Sequence, residues 1–302
     1  MLQTSIAKTN QFICHTNAAN FFVAPSKTEL MELHNSDTNT VLEFLAVRPV
    51  HTVIMTSWIN DNGIENAANR GKFYGYFNQS GKLEGIALIG HTTLVEARSD
   101  AALKAFAFQA RNTETPIHII MSAGNSVEDF WRFHTGTNQA PRLLYTELLF
   151  ELSFPFLVRN EFKELRLATK DELMLVAEAH AEVAFEESGK NPLETHREQF
   201  ISRVSRRIEQ GRCWVVIENG KLLFKADVIA ETAKVSYLEG VYVPQESRGK
   251  GFGTKCLAEL GKRLLQKTDS VCLLSNVKFT HAHKAYMKAG FKLTDSCQTI
   301  FV

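Results

Sequence analysis

The chain has 302 residues, 44% of them hydrophobic, so it can bury a sizeable core and is long enough for two domains. Lys and Arg number 34 against 33 Asp and Glu, a balance that excludes a broad basic face for nucleic acid or anionic lipid. No apolar run approaches the roughly 20 residues that span a bilayer, and Met1 to Asn10 lacks the apolar core of a signal peptide.

Taken in chain order, Lys72 to Phe77 and Gly85 to Ile89 read as strands around a Ser80-Gly81 turn, and Thr92 to Ala97 as a third strand. Ser99 caps a predicted helix to Arg111. Ile117 to Met121 then reads as a strand and Ser126 to Phe133 as a helix. Gly136 to Arg142 reads as the start of a linker, and Pro155 marks a further break.

The second half has stronger punctuation. Glu164 to Ala168 reads as a short strand, and Thr169 with Glu172 makes a capping box for a helix over Leu173 to Glu187. His196 to Gln210 is a second, basic helix. Cys213 to Glu218 and Lys221 to Ala230 flank Asn219-Gly220, a strong hairpin signal. Lys234 to Val243 is another strand, and Phe252 to Lys267 carries leucines at helical spacing. Val271 to Ser275 reads as a buried strand, Thr280 to Lys288 as a helix closed by Gly290, and Phe291 to Leu293 and Thr299 to Val302 as final strands. The order predicts a mixed α/β layer arrangement, and the first half echoes that of the second.

Five cysteines (Cys14, Cys213, Cys256, Cys272 and Cys297) are widely spaced and form no C-x-x-C pair. No zinc or redox motif is therefore expected, no metal is called for, and a reducing, cytoplasmic setting fits best.

The chemistry concentrates between Leu238 and Thr254, LEGVYVPQESRGKGFGT. A strand ends near Pro244 and a glycine-rich turn opens a helix, whose unpaired N–H groups and dipole favour an anion. Arg248 and Lys250 add charge. The spacing fits neither the Walker A pattern nor the dinucleotide fingerprint, because Gly249, Gly251 and Gly253 run G-x-G-x-G. On turn chemistry alone, a phosphate cradle and a plain tight turn both remain open.

Arg248-Gly249-Lys250-Gly251-Phe252-Gly253 resembles the R/Q-x-x-G-x-G/A signature of the GNAT superfamily, the Gcn5-related N-acetyltransferases. Glu239 to Val243 is similar to that family's fourth strand, and Ala282, Tyr286, Gly290 and Phe291 to its last helix and closing strand. The resemblance covers roughly Glu164 to Val302. The whole chain resembles the tandem type with a degenerate first half, divided as 1–152, with linker, and 153–302. Two GNAT-like domains are implied, each a mixed, mostly antiparallel sheet flanked by helices.

The resemblance implies acetyl-CoA as co-substrate and an amine, small-molecule or peptide, as acceptor. Backbone groups of Val241 and Val243 would pair with the pantetheine arm, and Arg248, Gly249, Lys250, Gly251, Gly253 and Thr254 would hold the pyrophosphate. Asn276 matches a frequent family asparagine, whereas Phe279 stands where another is common. Tyr286 would protonate the leaving sulfur or simply pack on the sheet. Glu239 shares a strand face with Tyr237 and Val241 by period two, as a general base or as a carboxylate paired with a basic side chain. Glu178, Glu182 and Glu186 recur at helical spacing. They form a solvated face or, through Glu182 and Glu186, an acidic lip for a cationic amine. His180 reads as structural, and Trp131 and Trp214 as packing. A non-catalytic acyl-CoA-binding regulatory module is the alternative. The first half has no glycine between Arg98, Ser99, Asp100 and Ala101, so a second CoA site is not expected.

Overall fold

The computed structural model describes residues 29–123, 126–137, 139–155 and 162–302; the opening stretch read above for a leader, and Cys14, lie outside these. The first half runs β1 (Leu30–Glu32), α1 (Thr38–Leu45), α2 (Val53–Asn62), β2 (Gly71–Phe77), β3 (Leu83–Gly90), β4 (Thr92–Ala97), α3 (Asp100–Arg111), β5 (Ile119–Ala123), α4 (Ser126–Thr135) and β6 (Leu143–Leu152). The second runs β7 (Arg166–Leu167), α5 (Leu173–Ser188), α6 (Pro192–Thr195), α7 (Arg197–Glu209), β8 (Cys213–Glu218), β9 (Lys221–Glu231), β10 (Val235–Tyr242), α8 (Phe252–Leu264), β11 (Ser270–Asn276), α9 (Thr280–Lys288) and β12 (Lys292–Phe301).

Local chemistry sets most of these bounds. The Ser99 hydroxyl accepts the Ala102 N–H at 3.3 Å and starts α3. Thr169 and Glu172 form the predicted capping box ahead of α5, and Gly189 ends that helix with φ +70°. Three helices escape the sequence reading: α1, α2 and the short α6.

The twelve strands among the described residues make one sheet, ordered β1-β2-β3-β4-β5-β12-β6-β11-β10-β9-β8-β7. All neighbours are antiparallel apart from the pairs β4–β5 and β10–β11. The closing strand of each half is inserted into the sheet of the other: β12 lies between β5 and β6, and β6 between β12 and β11. The stretch after the expected linker is thus a central strand. β12 is one strand rather than the two predicted, because its polar middle finds partners: the Thr294 hydroxyl donates to Leu149 O at 3.3 Å, and Asp295 meets His51 at 2.8 Å.

Helices cover both faces. In the first half α3 and α4 pack through Phe106 and Phe130, and α1 and α2 cover the opposite side around Phe73 and Leu88. In the second half α8 and α9 pack through Leu257, Leu260 and Tyr286, and α5 and α7 cover the other side through Val176, Ala177, Phe200 and Val204. Val53 of α2 joins Leu149, Tyr237 and Cys272, so α2 crosses the seam between the halves.

Candidate functional site

The site begins where β10 and β11 part. Their parallel pairing runs from Val235↔Ser270 to Leu238↔Leu273 and goes no further, although β10 continues to Tyr242 and β11 to Asn276. Beyond that point β10 stays with β9, and β11 with β6. The sheet therefore opens into a cleft. A bulge in β10 accompanies the parting: Gly240 has φ +57°, and the register with β9 shifts between Glu239↔Asp227 and Tyr242↔Lys225. The bulge also corrects the strand-period expectation. Tyr237 hydrogen-bonds Glu239 on one side of the sheet, but Val241 packs with Val243 and Phe252 against the α8 cluster. One inserted residue resets the alternation.

The glycine-rich loop lies at the outer end of β10. Gly249 and Gly251 both have φ +77°, a region that favours glycine, and Gly251 is the N-cap of α8. Its carbonyl accepts the first helical N–H, from Lys255, at 3.2 Å. Among the described residues no acceptor meets the N–H groups of residues 249 through 254, so six consecutive amides are left open around the helix start. Arg248 and Lys250 brace the loop from outside, donating to Val243 O at 2.8 Å and Glu246 O at 2.9 Å. With its carbonyl occupied, Val243 offers a ligand only its N–H.

Glu239, half-buried, faces the cleft. Burial raises its pKa, while Arg207 and the Tyr237 hydroxyl oppose the rise. Two further carboxylates converge with it. Glu147 of β6 is raised by burial, with the Thr299 hydroxyl, its hydrogen-bond donor, opposing and Glu239 adding to the rise. Glu187, in the last turn of α5, is raised to about 7 by desolvation and then by Glu239, Glu147 and Glu186, though one side of the residue stays exposed to solvent. The Tyr145 hydroxyl donates to the Glu187 carbonyl and ties α5 to β6. The titration of these carboxylates belongs to the group.

A buried charged cluster backs this wall. Lys225 is wholly buried, and its Nζ donates to Asp227 Oδ2 at 2.6 Å and to Gly240 O at 3.2 Å. Arg207 reaches the same carboxylate oxygen at 2.9 Å and His180 Nδ1 at 3.0 Å. Burial first, then Lys225, hold the His180 pKa down to about 4, so the ring is neutral at pH 7. Lys225 and Arg207 keep Asp227 ionised against its burial, well below the usual carboxylate range. A Cβ on Gly240 would meet Lys225 Nζ at 2.8 Å, so the ammonium sits directly against the bulge.

On the other wall Tyr286 of α9 is buried, edge-on to Phe150 with ring centroids 5.5 Å apart. Burial pushes its phenol up to about 12, opposed by a hydrogen bond with Ser275. The Glu187 carboxylate also acts on it, which places the phenol within electrostatic reach across the cleft. Asn276 is buried and its side-chain oxygen accepts the Lys278 N–H at 3.0 Å, holding the turn into α9. The two acidic-lip candidates have partners of their own. Glu182 accepts from the Tyr242 hydroxyl at 2.8 Å, and Glu186 pairs with Arg248 at 3.5 Å. Glu147 and Glu187 lie within electrostatic reach of Glu239.

The matching place in the first half is built differently. Glu96 of β4 is buried and its two oxygens accept from Arg48 Nη1 at 3.2 Å each. The Ser99 hydroxyl already occupies an amide at the start of α3. Arg98 lies over the Phe44 ring at 3.7 Å and donates to Phe44 O at 2.8 Å. Among the described residues no group of three His, Cys, Asp or Glu side chains could hold a metal ion.

The family model for an acetyltransferase (GNAT) domain matches residues 209–293. Three solved structures resemble nearly the whole chain. An acetyltransferase of the GNAT family from Colwellia psychrerythraea is 15% identical, with 91% of this chain and 100% of that one covered and a TM-score of 0.53. A Drosophila protein is 9% identical over 90% of this chain and 98% of its own, with a TM-score of 0.64. A tandem GNAT protein from the clavulanic acid biosynthesis pathway is 13% identical over 90% and 98%, with a TM-score of 0.55. No curated protein matches the chain.

The fold is thus similar to that of solved GNAT-family acetyltransferases. Residues 209–293 match the acetyltransferase (GNAT) domain model, and over about nine-tenths of its length the fold is similar to that of the tandem GNAT protein.

Proposed function

We propose that the chain transfers an acetyl group from acetyl-CoA to an amine, small-molecule or peptide, at one site in residues 153–302. The observation that carries this reading is the parting of β10 and β11, with Glu239 on one wall, Tyr286 on the other and open amides at the α8 end. The residues fit acetyl-CoA on these grounds: six unpaired N–H groups suit a pyrophosphate, and the free edge of β10 suits an extended amide-bearing arm.

Each residue then has a task. The N–H groups of residues 249–254 hold the anion, and Val241 and Val243 offer backbone groups to the arm. The amide beside the Gly240 bulge polarises the thioester carbonyl. Glu239 takes the proton of the attacking amine, directly or through water, and Tyr286 gives a proton to the departing sulfur. A raised carboxylate pKa suits the first task, because a base poised nearer neutrality accepts a proton from an ammonium more readily. A phenol held near 12 remains a donor at neutral pH. A binding module without turnover would need neither group in the cleft. The reading of residues 1–152 as a structural or acceptor-shaping domain is supported by the Arg48–Glu96 pair and the capped α3. No helix among the described residues is long and apolar enough to cross a membrane. The buried free thiols of Cys213, Cys256 and Cys272 support a reducing, cytoplasmic setting.

Calorimetric titration of the full chain with CoA is expected to saturate at one equivalent. Gly251→Val should abolish that binding in a folded protein. The new Cβ has open space around it, but φ +77° is unfavourable for a branched residue, and the loop must leave its cradle conformation. Two equivalents, or full affinity in folded Gly251→Val, would sink the assignment. Tyr286→Phe is expected to lower kcat with little change in CoA affinity, since the lost interaction forms mainly with the departing thiolate. Wild-type turnover would return Tyr286 to packing.

A further inference from the structure

The two halves meet over a cavity that the chemistry above does not use. It has a volume of about 50 Å³ and lies between α2 and the middle of the sheet. Val53 of α2 roofs it, and Tyr237 of β10, Cys272 and Leu274 of β11, Leu149 of β6 and Cys297 of β12 form its floor. Among the described residues its lining holds no Asp, Glu, Lys or Arg. A cavity of this size holds roughly three to five groups as large as a water molecule. Such an apolar wall suits an aliphatic chain better than a polar or charged one.

The roof belongs to the first half but is fastened to the second. The Glu231 N–H donates to the Ser57 hydroxyl of α2 at 3.1 Å. At the other end of α2, Arg212 grips Asp61 through two hydrogen bonds of 2.6 and 3.0 Å, and Arg206 donates to Asn62 at 3.1 Å. These contacts hold α2 over the strands of the second half.

The strand register ties the cavity to the cleft. Tyr237 pairs with Cys272, Leu274 with Leu149, and Cys297 with Glu147. Residues two apart on a strand share a face, so the cavity floor, Glu147 and Glu239 all lie on one side of the sheet. Directly opposite residues hold their Cβ atoms about 5 Å apart, so the wall at Cys297 adjoins Glu147. Leu274 is half-buried and is the first β11 residue beyond the parting from β10. The cavity thus reaches the apex of the cleft. Tyr237 is the common wall: it lines the cavity, and its hydroxyl hydrogen-bonds Glu239, two residues and roughly 7 Å along β10.

We propose that this seam cavity receives the tail of the acceptor, and that the acceptor is an aliphatic primary amine whose far end is uncharged. The nitrogen lies at Glu239, and the chain runs past Leu274 and Tyr237 to lie under Val53. This rests on the acetyl-transfer reading for the amine, but the cavity can be tested without turnover.

Two measurements on the full chain decide it. In the first, kcat/KM is measured for the straight-chain amines from methylamine to octylamine. It should rise about fourfold for each methylene that enters the cavity and then level off. Hexylamine should exceed 6-aminohexanoate and 1,6-diaminohexane by about tenfold or more, because their far ends bring a charge to an apolar wall. Val53→Ala enlarges the cavity and should move the levelling point about one carbon longer. Val53→Ile fills it and should move that point about one carbon shorter. A role for Val53 in stability alone would not shift the two in opposite directions. In the second, the methyl resonances of Met55 and Met121, which also line the cavity, are followed by NMR with 1-hexanol. Met55→Leu and Met121→Leu assign them. Both should shift saturably in the wild type, and at higher hexanol concentration in Val53→Ile. If no amine is acetylated but these shifts are seen, the cavity stands as an apolar ligand site and the acetyl-transfer reading fails. Turnover that ignores chain length, or a levelling point that neither Val53 variant moves, overturns the proposal.

Discussion

Lys225→Met is expected to destabilise the fold by about 3–5 kcal/mol, the usual cost of removing one partner of a buried ion pair. Lys225 is wholly buried and gives Asp227 its shortest contact, 2.6 Å. Asp227 Oδ1 already lacks a partner among the described residues, so the carboxylate depends on what reaches Oδ2. Methionine fills the space but leaves Arg207 and a neutral His180 to hold the charge. The pH dependence follows from the sign of the shift. Asp227 is depressed in the folded state, so its contribution is present above the unfolded pKa and is lost as pH falls through the folded one. Without Lys225 the depression shrinks, and acid unfolding begins at higher pH. Urea denaturation across pH measures both effects. The same ammonium donates to Gly240 O, so the bulge beside the cleft loosens as well. Lys225→Met with Asp227→Leu should recover much of the stability while leaving acetyl transfer impaired. A loss below about 1 kcal/mol in the single variant would mean that the cluster does not hold this wall.

Glu239→Gln is expected to slow acetyl transfer about 10²-fold or more and to remove the acidic limb of the pH–rate profile, on the scale of general base catalysis. A base works ionised, so the wild-type rate falls as pH drops through its pKa. Burial raises that pKa, which brings the limb towards neutrality. Glu187→Gln separates the members of the group. It removes a negative neighbour, favours the ionised form of Glu239 and should move the limb to lower pH while leaving it in place. A limb that survives Glu239→Gln and vanishes in Glu187→Gln would transfer the role to Glu187.

Much of this site is legible in the sequence because it rests on local signals. The G-x-G-x-G run marks the helix entry, and the structure puts two of its glycines at φ +77°. Thr92–Ala97, Cys213–Glu218 and Thr280–Lys288 match their predicted bounds, since caps, turns and periodicity are short-range. What was missed depends on distant partners. The apolar stretch Leu143–Leu152 follows a stretch that reads as a linker, and only its insertion between β11 and β12 makes it a central strand. Glu147 came with it unnoticed, although a carboxylate among apolar residues is the same signal that marks Glu239. Glu187 is one residue beyond the Glu178, Glu182 and Glu186 series and turns to the cleft where that face does not. The Gly240 bulge escaped because a glycine in a strand does not say which way alternation resumes.

The most direct test of the account is amine-dependent release of the CoA thiol from acetyl-CoA by the full chain, with the acetylated amine identified by mass spectrometry. The account predicts stoichiometric thiol and N-acetyl product, saturable in both substrates and strongly reduced in Glu239→Gln. Tight CoA binding with no amine-dependent thiol release across primary amines of varied charge, amino acids and peptides would contradict it.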